Sequence, residues 1–235
     1  MTIRERLRRL DWRAFEESLW ERGYARTPPL LSEEECRSLI ASYADEGRFR
    51  KHVDMARLRF GVGDYRYFRE PLPPLVQELR VHGYRHLAPI ANRWLEAYGE
   101  RRRFPRSLRE FRAACAAEGQ TEPTPLLLRY REGGYNRLHQ DLYGALAFPL
   151  QMTCFLSQPG KDFAGGEFLL VESEPRTQSR GEAIAAERGE IVIFPTRERP
   201  VRGKQRIRRA RVRHGVSRVT SGSRYALGVI FHDAR

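Results

Sequence analysis

Leu126-Leu-Leu-Arg-Tyr130-Arg-Glu-Gly133-Gly134-Tyr-Asn-Arg-Leu-His139-Gln-Asp141 runs from an apolar segment through a paired-glycine turn into a polar segment ending in His-x-Asp. On a strand, successive side chains point to opposite faces, so His139 and Asp141 share one side. A second histidine, His214, lies far downstream, and Arg224 follows ten residues later. Two imidazoles and one carboxylate on one face of a metal leave adjacent coordination positions open. Arg224 offers a planar, permanently charged fork suited to a carboxylate. A zinc or manganese hydrolase could use the same three ligands, but it would leave Arg224 without a role.

A His-x-Asp pair alone is a weak signal, and its setting strengthens it. Phe148-Pro-Leu-Gln-Met-Thr-Cys-Phe-Leu156, Glu167-Phe-Leu-Leu-Val171 and Glu190-Ile-Val-Ile-Phe194 read as strands separated by turn residues. In the segment leading to His214, Ala210 and Val212 share the histidine's face, while Arg209, Arg211 and Arg213 take the other. On the last strand Arg224, Ala226, Gly228 and Ile230 alternate with Tyr225, Leu227, Val229 and Phe231. The small Ala226 and Gly228 leave room beside Arg224. His232-Asp233 is a rival ligand pair, but adjacent strand residues face opposite ways.

These pieces carry a resemblance. Leu126 to Phe231, a little under half the chain, resembles the Fe(II)/2-oxoglutarate-dependent dioxygenases. The matching parts are Arg129-Tyr130-x-x-Gly133-Gly134 with His139-x-Asp141, then Gly165-Gly-Glu-Phe-Leu169 and Gly189-Glu-Ile-Val-Ile-Phe194. They continue through His214-Gly-Val-Ser-Arg-Val219 to Ser221-Gly-Ser-Arg224-Tyr-Ala-Leu227. Gly23-Tyr24 and Pro29-Leu-Leu-Ser-Glu-Glu-Glu-Cys36 look like the entry segment of such enzymes. The tail Gly228-Val-Ile-Phe-His-Asp233 is similar to a bacterial group assigned to oxidative dealkylation of damaged nucleic acid. The resemblance implies Fe(II) on His139, Asp141 and His214, 2-oxoglutarate held by Arg224, and O2 as oxidant. Tyr130 either hydrogen-bonds the co-substrate or packs in the core.

The chain has 235 residues, within the range of one domain, with 40% hydrophobic residues and a formal charge of +13. Forty of its 43 basic residues are arginine. Between Arg197 and Arg218 stand ten basic residues and one acid, Glu198. Arg206, Arg208, Arg209, Arg211 and Arg213 form either a solvated edge or a track for phosphates. Cys36, Cys115 and Cys154 are widely spaced and show neither disulfide nor zinc spacing, which fits a reducing cytoplasm. No apolar run is long enough to span a membrane, and no apolar segment follows Arg4, Arg6, Arg8 and Arg9 as a secretory signal would require.

The expected fold is α+β, with N-terminal helices packed on a double-stranded β-helix, the small jelly-roll barrel. Residues 1–122 are expected to give mainly helical support and a possible substrate lid, and residues 123–235 the catalytic core of one domain. Ile3, Leu7, Leu10, Phe15 and Leu19 recur at near-helical spacing. Ser32 with Glu35 and Ser107 with Glu110 form capping boxes, the second opening a helix through Ala114. Leu75 to Tyr98 suggests one or two helices. Glu172 to Arg188 reads as a polar loop with its own small helix. Between Arg48 and Phe68, basic and aromatic residues interleave. Their aromatics either enter the core, or Tyr65, Tyr67 and Phe68 stack on a substrate base. His52, His82 and His86 have no ligand-like spacing. Two substrate classes compete: nucleic acid, DNA more than RNA, for dealkylation, and protein, such as prolyl residues, for hydroxylation.

Overall fold

The computed structural model describes residues 1–203 and 205–235. Lys204, one of the ten basic residues noted above, lies outside them. The chain opens with helices α1 (Ile3–Arg8) and α2 (Trp12–Glu21). The sequence periodicity runs through both, but the Asp11 carboxylate accepts from the Ala14 amide at 3.0 Å and starts a new helix. A short strand β1 (Ala25–Arg26) leads to α3 (Glu33–Ser42), which the Ser32–Glu35 capping box opens as expected. Strands β2 (Phe49–Asp54), β3 (Gly61–Val62) and β4 (Asp64–Phe68) follow. Next come the 24-residue helix α4 (Pro74–Ala97), one helix despite Pro89, and α5 (Leu108–Ala117), one turn longer than the sequence pattern indicated.

The remaining strands are β5 (Leu126–Arg131), β6 (Tyr135–His139), β7 (Leu150–Phe155), β8 (Phe163–Gly165), β9 (Phe168–Ser173), β10 (Arg180–Ile184), β11 (Ile191–Pro195), β12 (Glu198–Arg202), β13 (Ile207–Val216) and β14 (Val219–Val229). They form two antiparallel sheets. The larger has the order β1-β11-β7-β14-β5-β4-β2, with β8 on β14; the smaller is β10-β9-β13-β6-β3, with β12 on β13.

Two expectations need correction. The segment 172–188 holds no helix; β10 lies antiparallel on β9, pairing Arg180 with Glu172 and Ile184 with Phe168. Residue 122 is also no boundary within the sheets. The N-terminal half contributes β1 to β4, and β4 extends the large sheet by pairing with β5.

The large sheet divides its side chains by alternation. Leu227, Val229 and Phe231 join the core with α4 residues such as Leu79, Leu87 and Trp94. Arg224, Ala226, Gly228 and Ile230 face the barrel interior, as their period of two requires. Phe155, Phe168, Val192, Phe194 and Val212 close one end of the barrel as a second cluster. The three cysteines are buried and unpaired. Among the described residues, no helix is long and apolar enough to cross a membrane.

Candidate active site

His139 ends β6, and His214 sits directly across from it on β13. The two rings lie 4.2 Å apart between centroids. Asp141 lies two residues past the end of β6 and turns back towards both. Its Oδ2 is 3.1 Å from His214 Nε2 and its Oδ1 3.5 Å from His139 Nε2. One ligand atom from each residue falls within 4.8 Å of the others. His139 Nδ1–H donates to the Arg137 carbonyl at 2.7 Å, which turns Nε2 towards Asp141. Gln140 Nε2 donates to the carbonyls of Arg197 and Val212, both at 2.8 Å, pinning the backbone between the two ligand candidates.

Burial opposes ionisation of Asp141, but the imidazoles of His214 and His139 hold its carboxyl well below the ordinary range. Burial and the neighbouring His139 push His214 down; against the burial of its own ring, His139 is raised by Asp141. A buried carboxylate beside a neutral imidazole is a donor set for a divalent cation. Tyr143 O–H donates to Asp141 Oδ1 at 2.8 Å, and Tyr67 O–H donates to the Tyr143 oxygen at 3.2 Å. Tyr143 lies with Asp141 past the end of β6, so strand alternation does not place it; the turn of the chain brings it to the carboxylate.

The three residues line a cavity of about 400 Å³. Arg224 stands in its wall, only 2% exposed, yet neither Nε nor Nη2 has a hydrogen-bond partner. The Tyr130 and Phe155 rings flank its guanidinium at 5.6 and 5.2 Å. Burial pushes the Arg224 pKa down to about 10, so it stays charged at neutral pH. A buried charge without a partner is costly, and an anionic ligand would remove that cost. Tyr130, paired with Arg224 across β5 and β14, is fully buried and accepts from Asn136 Nδ2 at 3.2 Å. It lines the cavity and packs in the core at once.

The other candidates scatter. Tyr65 is half-buried and lines the cavity. Tyr67 is 7% exposed and Phe68 is wholly buried against Phe49, so neither is free to stack on a base. Arg209, Arg211 and Arg213 on β13 face outwards, as alternation predicts, and none of Arg206, Arg208, Arg209, Arg211 and Arg213 lines the cavity. Two of them are neutralised: Arg208 by Glu174 at 3.1 Å, and Arg209 by Glu198 and by Glu100 at 2.6 Å. His232 Nδ1 accepts from the Phe148 amide, and Asp233 pairs with Arg80 and Arg112, so the rival pair is committed to structure. His52 contacts Asp64 and His86 stacks on Trp12, away from the cavity. Gln151 and Thr153, buried polar residues in the cavity wall on β7, were not anticipated.

Known proteins share the family and the fold. A family described as "Oxygenase, catalysing oxidative methylation of damaged DNA" matches residues 63–234. An uncharacterised protein of Mycobacterium tuberculosis is 48% identical over 164 residues, 70% of each chain. A Pseudomonas putida prolyl-4-hydroxylase superposes with a TM-score of 0.56 at 14% identity, covering 95% of this chain and 99% of that one. A 2OG-Fe(II) oxygenase family oxidoreductase from Burkholderia pseudomallei gives a TM-score of 0.54 at 15% identity, covering 96% and 94%. At these identities the structural likeness shows the shared double-stranded β-helix fold.

Proposed function

The chain belongs to this family of oxygenases, and on that premise we propose that it oxidatively dealkylates damaged bases in DNA, with His139, Asp141 and His214 holding Fe(II) and Arg224 holding 2-oxoglutarate. It is a 2-oxoglutarate- and Fe(II)-dependent oxygenase, with O2 as co-substrate. The observation that carries the site assignment is the unpartnered guanidinium of Arg224 in the same cavity as the His–Asp–His cluster. A hydrolytic metal site leaves that charge without purpose.

Each residue then has a task. Arg224 fixes the distal carboxylate of 2-oxoglutarate through its fork of donors. Tyr130 walls the same end. Tyr143 holds Asp141 Oδ1 and so orients the carboxylate. Ala226, Gly228, Leu126, Leu128 and Ile230 supply dry walls that keep water from the reacting centre. Iron with 2-oxoglutarate and O2 supplies the oxidant that places oxygen into a C–H bond. On an N-methyl group the product is an N-hydroxymethyl group, whose C–N bond breaks to release formaldehyde and the restored base. The family match supports DNA as the substrate.

Formaldehyde and succinate released together from N-methylated DNA would support the proposal. Hydroxylation of a peptide pool, with methylated DNA left unchanged, would replace it with protein hydroxylation.

A further inference from the structure

The surface around the cavity mouth is unusually apolar. Among the described residues, Leu58, Phe60, Val62, Leu138 and Leu142 are five of the seven exposed large hydrophobics, at 38–51%. Phe60 and Leu138 line the cavity and Leu58 shares the turn with Phe60, while Val62 lines a groove with Asp64 and Arg129 and Leu142 a separate cavity with Trp94 and Tyr98. Clustered exposure of this kind marks an interaction surface.

The turn that carries Leu58 and Phe60 is held in place. Met55 is fully buried at its base, and the Phe60 amide donates to the Met55 carbonyl at 2.9 Å. The Arg137 amide donates to the Phe60 carbonyl at 2.8 Å, joining the turn to β6. At Gly61 (φ +153°) a Cβ would lie 2.2 Å from the Tyr135 carbonyl oxygen, so only glycine lets β3 approach β6 this closely. Arg59 adopts φ 59°, a costly left-handed conformation for a side-chain-bearing residue. The exposure of Phe60 therefore comes from a fixed backbone.

The same rim is cationic. Arg59 and Arg137 line the mouth and form no ion pair among the described residues. The Arg57 side chain is 86% exposed and its one ion pair among the described residues is with Asp54, at 3.5 Å. The arginines on β13 differ, since two of them are spent on Glu100, Glu174 and Glu198.

We propose that this rim grips single-stranded nucleic acid. Phe60 stacks on the base next to the one admitted to the cavity, and Arg59 and Arg137 meet the flanking phosphates. The proposal rests on the dealkylation reading and deepens it by naming the substrate form and the residues that select it. Charge chooses the partner: unpaired arginines beside a flat aromatic face suit a phosphate backbone with unstacked bases. A single strand already exposes its bases, whereas a duplex must first unstack one to fill a cavity of this size.

The test uses the iron- and 2-oxoglutarate-loaded protein without oxygen, with fluorescence anisotropy of an unmethylated oligothymidine, the matching duplex, and a proline-rich peptide. The single strand should bind more tightly than the duplex. Phe60→Ala should weaken it about tenfold, and Phe60→Trp, which restores a stacking face, should recover it. Arg59→Ala with Arg137→Ala should lower the slope of log affinity against log salt by about 1.4, or about 0.7 per lost phosphate contact. Duplex preference, peptide binding in place of the oligonucleotide, or unchanged affinity in Phe60→Ala would each overturn the proposal. Dealkylation is read separately as formaldehyde. Release with rim-independent binding defeats the rim alone, and rim-dependent binding without release defeats the dealkylation reading alone.

Discussion

Two buried arginines in this protein lead opposite lives. Arg80, on α4, donates to the carbonyls of Ile230 and Phe231 at 2.9 and 3.1 Å and to Asp233 at 2.5 Å. With Arg112 and His232, it clamps the chain just after β14. Arg224, eight to nine residues earlier than that clamp's acid and imidazole, is equally buried and has two nitrogens with no partner. Both regions use arginine, aspartate and histidine. In the clamp, Arg80 is paired with Asp233 and with backbone carbonyls, although Arg80 Nη1 and His232 Nε2 also lack partners. In the cavity, His139, Asp141 and His214 are brought together and Arg224 is left open. A buried charge paired with a carboxylate holds the fold together, while one with no acid beside it suits an anionic ligand.

The comparison can be broken by mutation. The largest effect is expected for Asp141→Ala: iron content should fall to background and succinate formation should stop. Full iron stoichiometry by elemental analysis would remove Asp141 from the metal set, whereas His232→Ala should keep its iron. Next, Arg224→Met should weaken 2-oxoglutarate affinity by about 3 kcal/mol, roughly a hundredfold, in calorimetric titration. The ligand-free variant should be at least as stable as the parent, because an unpaired buried charge has gone. Arg224→Lys should rescue only part of the affinity, since lysine lacks the fork.

Arg80→Met should do the reverse. Asp233 loses its buried partner, so denaturant unfolding should show a loss of about 3–5 kcal/mol. If both substitutions instead changed stability by the same amount, the division between clamp and cavity would be wrong. The last effect, reached in full only in acid, is a pH dependence. Burial pushes His232 from the ordinary 6.5 down to about 4. The unfolded chain therefore takes up a proton before the folded one does. The resulting stability is complete above pH 6.5 and is lost as pH falls towards 4, by up to about 3 kcal/mol. In His232→Gln this part of the slope should vanish, and an unaltered slope would show that His232 does not titrate there.

Much of the site was legible because strand periodicity is simple. Ala210, Val212 and His214 on one face, and Arg224 with Ala226, Gly228 and Ile230 on another, follow from a period of two. Asp141 and Tyr143 lie beyond β6, and the turn of the chain rather than strand alternation brings them to the cavity. The capping boxes fixed two helix starts from local chemistry alone. The errors lay where partners are distant. The segment 180–184 has little strand character of its own and is a strand because β9 lies beside it. Phe68 reads as a stacking residue until Phe49 is seen against it.

Strand alternation and capping chemistry, being local properties of the chain, gave the facing of the β13 and β14 residues and two helix starts, while the barrel and the candidate ligand set came from the family resemblance. Only the tertiary structure decided which charges are spent. Arg209 meets Glu100 across more than a hundred residues, and Asp233 meets Arg80 across a similar span, while Arg224, Arg59 and Arg137 are left without acids. Whether a charge is neutralised depends on contacts between segments far apart in the chain, which no local pattern encodes.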